Sequence, residues 1–277
     1  MGVVRPLVPS DLPSLLALIE ENPVTNCFVA GRVAVAGVDP WRLGGDMWGY
    51  LEDGRVTSAV YLGANLVPIS TTPESRAAFA DRLRPGPRRC SSFVGPSHEV
   101  LDLWRLLEPA WGPAREVRNV QPFLTIGTDS HLPQDPQVRA ARSSDLDLLL
   151  PACIDMFTEE VGISPIASGS HYAYRARVEQ LIETGRAFVR IVGGQVEFKA
   201  EVGAATSTAC QLQGVWVAPS LRGTGLAEPG MSATVALVRA KIAPVVSLYV
   251  NEFNTPARKT YAAVGFEEKA TFATVLF

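Results

Sequence analysis

Short apolar blocks separated by polar turns run through this chain, and one order of blocks occurs twice. Residues 3–8 read as a β-strand, Ser10-Asp11 offers side-chain oxygens to a helix start, and an apolar-rich helix follows from Leu12. Residues 138–142, then Ser144-Asp145 and Leu146, repeat that arrangement. Each copy continues into a hairpin. Asp53-Gly54 separates strands predicted at 47–52 and 55–61, and Gly193-Gly194 separates strands predicted at 187–192 and 195–200. Both dipeptides tolerate the positive φ angles that two-residue hairpin turns require. The pattern predicts tandem copies of one α/β unit, at residues 1–127 and 137–277, each a mixed, twisted sheet flanked by helices. The polar, Pro-containing stretch 127–136 is the expected linker. One long α/β domain is the alternative.

The copies part company after their central strands. In the second, the apolar run Val215-Trp216-Val217 ends in a Pro/Ser turn, and Arg222, Gly223, Thr224, Gly225, Leu226 and Ala227 lead into a helix expected to begin at or near Gly225. Glycines let an anion approach the backbone closely, the helix N-terminus supplies unpaired amides, and arginine adds a forked cation. Such a turn suits a pyrophosphate. The dinucleotide-fold and P-loop glycine patterns are both absent. Glu228-Pro229-Gly230 is an awkward continuation, since Pro fits only the first helical turn and Gly weakens the next. The first copy has neither glycine loop nor arginine here. It reads Ile69-Ser70-Thr71-Thr72-Pro73-Glu74, and an acidic residue repels phosphate. Only the second copy is expected to bind such a ligand.

Downstream, the helix predicted to about Ile242 stops at Pro244, residues 245–250 read as a buried strand, and Asn251, Asn254, Ala257, Tyr261 and Gly265-Phe266 follow. The turn from Arg222 to Ala227 and this later group, in that order, resemble the core of the GNAT acetyltransferase superfamily over residues 137–277. The resemblance implies two tandem GNAT-like units with a degenerate first half. It implies acetyl-CoA as co-substrate and direct attack by an amine within a ternary complex. Arg222–Ala227 would cradle the pyrophosphate. Val215, Trp216 and Val217 would dock the pantetheine arm as an added strand, and Asn251, Asn254 and Ala257 would hold it further along. Tyr261 would protonate the departing thiolate. Where many relatives carry a carboxylate base, this chain has Gln211, so Glu201 on the preceding strand is the substitute, with a water chain as the alternative. Glu197, Lys199 and Glu201 share one facing, and an ion pair among them is the bland reading. Asn254 equally suits a helix cap. His171, in the acceptor-closing stretch 162–174, is a weaker acceptor contact.

Composition narrows the classes. With 25 Lys+Arg against 28 Asp+Glu the net charge is −3, which argues against a nucleic-acid partner. The four cysteines lie far apart without metal spacing, so no metal is expected, and they read as reduced thiols in a cytoplasmic protein. No apolar run spans a bilayer and no signal peptide is seen. The expected partner is a small-molecule or peptide amine. A non-catalytic acyl-CoA sensor and an aminoacyl-type transferase are the rival functions, and neither the acceptor nor the oligomeric state is readable.

Overall fold

The computed structural model describes residues 2–167 and 169–277; Ser168, within the expected acceptor-closing stretch, lies outside them. Its contacts divide into two units. The first holds residues 1–124, 249–254 and 268–277, and the second holds 125–248 and 255–267.

In the first unit β1 (Val3–Pro6) leads through a 3-10 turn into α1 (Leu12–Glu20), α2 (Cys27–Ala36) and the short α3 (Pro40–Leu43). An antiparallel meander follows: β2 (Gly45–Glu52), β3 (Arg55–Gly63) and β4 (Asn65–Ile69). Then come α4 (Pro73–Leu83), β5 (Ser92–Pro96), α5 (Ser97–Trp111) and β6 (Glu116–Ile126). In the second unit the same order returns as β7 (Arg139–Ala140), α6 (Leu146–Val161), α7 (His171–Glu183), β8 (Ala187–Val192), β9 (Gln195–Ala205), β10 (Ala209–Val217), α8 (Ala227–Lys241), β11 (Val245–Tyr249) and α9 (Thr255–Val264). The last strand, β12 (Glu267–Leu276), does not stay with α9. It inserts between β5 and β6, antiparallel to β5 from Phe272 opposite Pro96 to Leu276 opposite Ser92. The expected second domain, a contiguous 137–277, is therefore corrected. Its final ten residues complete the sheet of the first unit, where Ala273 and Val275 join Phe93, Leu103 and Trp104 in one core.

The repeat is visible atom by atom at the start of each unit. Arg5 forks onto Asp11 at 2.7 and 2.9 Å, and Asp11 accepts from the Val8 amide at 2.8 Å. Arg139 forks onto Asp145 at 2.6 and 3.1 Å, and Asp145 accepts from the Arg142 amide at 2.7 Å. Each aspartate thus caps backward onto the 3-10 turn instead of forward onto the helix. The hydrogen bond from its arginine holds each carboxyl below the ordinary carboxylate range. Both hairpins turn through two residues of positive φ, Asp53 (49°) with Gly54 (78°) and Gly193 (55°) with Gly194 (78°), as a type I′ turn demands.

Candidate functional site

β10 carries the candidate site, and its geometry comes from two irregularities. It pairs in parallel with β11 only from Ala209 opposite Val245 to Gln211 opposite Ser247. Beyond Gln211 the two strands separate. On its other side β10 is antiparallel to β9, with Gln213 opposite Glu201 and Trp216 opposite Lys199. Two residues, Gly214 and Val215, therefore face the single Ala200. This is a β-bulge, and Gly214 takes a φ of +59° to make it. Trp216 is buried against Ala152 and Val196, so only its backbone can meet a ligand, whereas Val215 and Val217 are half-buried.

A charged cluster lies on the β9 side of the bulge. The fully buried Lys199 ammonium donates to Glu201 Oε1 at 2.5 Å and to the Gly214 carbonyl at 2.9 Å. Glu201 Oε1 also accepts from Cys153 Sγ at 3.3 Å, and Oε2 accepts from Gln213 Nε2 at 3.3 Å. Burial opposes both charges, but the partners prevail: Lys199 titrates above an ordinary lysine and Glu201 below an ordinary glutamate. With 4% of its surface exposed and both oxygens engaged, Glu201 does not present itself to a substrate as a base in this structure. Glu197 instead pairs with Arg190.

The turn after β10 is open. Gly223 (φ 78°) and Gly225 (φ 86°) take left-handed conformations, and a side chain on either would meet nothing within 4 Å. Among the described residues, nothing accepts from the amides of Gly223, Gly225, Leu226, Ala227 and Glu228. Thr224 closes the turn by donating its hydroxyl to Leu221 O at 2.7 Å. α8 begins at Ala227, two residues after the expected start, with Leu226 as its N-cap. Gly225 and Leu226 thus contribute turn amides, and the helix proper adds Ala227 and Glu228. Gly230, which weakens a helix, has a packing reason: a Cβ there would stand 2.9 Å from the Phe198 ring. Arg222 folds back. Its Nε donates to Val217 O at 3.1 Å and its NH2 to Glu159 Oε2 at 2.7 Å, with the two side chains 48% and 47% exposed. The acidic side chain holds the arginine and leaves the amides clear.

The corresponding turn of the first unit is filled from within. Glu99 Oε2, on α5, accepts from both the amide and the hydroxyl of Thr71 at 2.6 Å each, in a buried position. Arg76 donates to the Thr71 carbonyl at 2.6 Å and is held by Asp102 at 2.8 Å. Thr72 and Ser75 cap α4 reciprocally, at 2.9 and 3.2 Å. The helix end that could meet an anion is thereby occupied by protein atoms.

Comparison with known proteins settles the family of the open half. Residues 167–266 match the model of the Acetyltransferase (GNAT) family. That stretch is a GNAT domain. Residues 45–149 match a domain of unknown function, DUF4081. Among solved structures, a GNAT-family acetyltransferase from Colwellia psychrerythraea is 13% identical, with 99% of each chain covered and a TM-score of 0.59. A tandem GNAT protein from the clavulanic acid biosynthesis pathway, solved without AcCoA, is 15% identical over 100% of this chain and 98% of its own, at a TM-score of 0.58. A GCN5-related N-acetyltransferase from Sphaerobacter thermophilus is 16% identical over 99% and 95%, at 0.62. These likenesses show the fold, two GNAT-like units in tandem. No curated protein matches the sequence.

The remaining expected residues of the GNAT core fall in two groups. Ala257 and Tyr261 lie on α9 in the second unit. Tyr261 is 7% exposed and packs edge-on against Phe266 at 5.8 Å. Burial first, and then the negative charge of Glu160, push its phenol pKa well above that of an ordinary tyrosine. Asn251 and Asn254 group with the first unit. Asn251 is buried, and its Oδ1 accepts from Gln121 Nε2 at 2.8 Å and from Arg118 at 3.5 Å. Gln121 in turn accepts from Thr274 at 2.6 Å. The amide of Asn254 donates to Asn251 O at 2.9 Å, just ahead of α9. His171 opens α7 in an exposed position. The ion pair expected among Glu197, Lys199 and Glu201 from their shared facing falls between Lys199 and Glu201. All four cysteines are free and buried, and burial pushes Cys153 up to about 12. Among the described residues, no cluster of His, Cys, Asp or Glu could hold a metal ion, and no helix is long and apolar enough to cross a membrane.

Proposed function

We propose that the second half binds acetyl-CoA and transfers its acetyl group to a primary amine, in a small molecule or peptide, in the cytoplasm. One observation carries this reading. A turn with unengaged amides and two left-handed glycines follows a strand that splays away from its parallel neighbour, and an arginine lies beside it. Such a turn matches a diphosphate, and the splay leaves room for an extended amide-bearing chain to pair with β10. Arg222 is held by one hydrogen bond to the Val217 carbonyl and by an exposed ion pair, which contributes about 1 kcal/mol or less and yields readily to a phosphate.

In this scheme the unengaged amides of Gly223 and Gly225–Ala227, with the Arg222 side chain and the Thr224 turn, hold the pyrophosphate, and the β10 backbone at Val215–Val217 holds the pantetheine arm and polarises the thioester carbonyl. Attack forms the N–C bond as the C–S bond breaks. Tyr261 gives its phenolic proton to the leaving sulfur and regains one from the amine through solvent. Its raised pKa keeps that proton in place at working pH. The acceptor arrives as the neutral amine, because Glu201 is engaged by Lys199 and Gln213. That engagement also favours a second reading, an acyl-CoA sensor without turnover.

Calorimetric titration with CoA, followed by a thiol-release assay over a panel of primary amines, separates the readings. Binding with turnover supports the transferase. Binding without turnover on any amine supports the sensor. A protein that binds no CoA has neither function.

A further inference from the structure

A bulge strips a backbone carbonyl of its ladder partner, and a buried carbonyl so exposed must find another donor. At the β10 bulge that carbonyl belongs to Gly214, and its donor is the Lys199 ammonium, 2.9 Å away. An ammonium with no exposed surface needs a counter-charge, and Glu201, two residues along the same strand, supplies it at 2.5 Å. Gln213 and Cys153 complete the carboxylate's hydrogen bonds. The packing leaves little tolerance: a Cβ on Gly214 would sit 2.9 Å from Met156, 3.1 Å from Lys199 Nζ and 3.2 Å from Glu201.

The first unit supplies a natural control. Counted from the hairpin turns, Ala59 and Tyr61 on β3 hold the places of Lys199 and Glu201 on β9, and both are buried. There the β3–β4 ladder runs from Ala59 opposite Ile69 to Leu62 opposite Leu66 without a register shift. Ion pair and bulge are present together in one half and absent together in the other.

We infer that Lys199 and Glu201 are positioning residues: they latch the Gly214 bulge and so aim the backbone of residues 215–217 at the acyl-CoA arm, and Glu201 is not the proton acceptor. The consequence for the cofactor rests on the acetyl-CoA reading above; the latch itself does not. Replacing a buried ion pair by apolar residues of similar volume is commonly neutral for stability. The double variant Lys199→Met with Glu201→Leu therefore folds, with Tm near that of the wild type. In the ligand-free protein, amide hydrogen exchange across residues 212–217 rises by about tenfold or more while other strands are unchanged. CoA affinity falls by a similar factor. Gly214→Ala, which keeps both charges but strains the bulge, gives the same exchange signature if the double variant fails to fold. Unchanged exchange at 212–217 in a folded variant overturns the latch. Unchanged exchange and CoA affinity with lost turnover, accompanied by loss of the acidic limb of the kcat profile, overturns it in favour of Glu201 as base. If the wild type binds no CoA, the functional reading falls while the exchange experiment still decides the latch.

Discussion

The two turns that follow the splayed strands differ in who fills them. In the first half, β4 parts from β5 after Leu66, and the turn beyond it closes on Glu99, which takes the Thr71 amide and hydroxyl. In the second half, β10 parts from β11 after Gln211, and the turn beyond it holds two left-handed glycines with unengaged amides. One architecture thus treats the same turn in two ways: in the first half an internal carboxyl group engages it just ahead of a capped helix, and in the second its amides are left to an incoming group. The difference shows why fold alone does not locate function. Both halves have the sheet, the splay and the hairpin, but in the first a carboxyl group of the protein itself engages the turn.

The sharpest way to break this contrast is to reverse the charge beside the open turn. Arg222→Glu places a carboxylate where phosphate oxygens are expected, and the CoA dissociation constant measured by calorimetry rises by roughly 100-fold or more. Next in size, Tyr261→Phe lowers kcat by about 10- to 100-fold and leaves CoA affinity unchanged. Because the native phenol titrates well above 10, the wild-type rate shows no loss from its ionisation as pH rises to 10. A phenol with a lowered pKa would give the opposite, an alkaline fall near neutrality.

Glu99→Gln tests the filled turn. It leaves part of the Thr71 network mismatched, costs about 1–3 kcal/mol in denaturant unfolding, and creates no second CoA site. A second stoichiometric site in that variant would show that Glu99 alone keeps CoA out. The smallest effect is expected at Glu159→Gln, which frees Arg222 from an exposed pair and tightens CoA binding by no more than a few-fold.

Much of this contrast is legible in the sequence because it is local. The type I′ hairpins, the glycine turn and its absence from 69–74 each depend on residues a few positions apart. What is not legible depends on distance along the chain. Glu99 reaches Thr71 across 28 residues and Gln121 reaches Asn251 across 130, and no local pattern announces either. β12 reads as an ordinary strand after α9, but its partner β5 is set by an exchange that periodicity cannot encode. The facing of Lys199 and Glu201 was readable from their spacing. Their burial was not, because charged residues on a strand read as solvated until their packing is seen. The helix start moved from Gly225 to Ala227 because the two positive-φ glycines form a turn of their own ahead of it.

A crystal of the wild type grown with CoA tests the central claim most directly. The account predicts one CoA per chain, with diphosphate oxygens within hydrogen-bonding distance of the amides from Gly223 to Ala227 and the Thr71–Glu99 contact intact. A diphosphate bound at the first unit's turn, or a second-unit turn left empty beside CoA bound elsewhere, would contradict it.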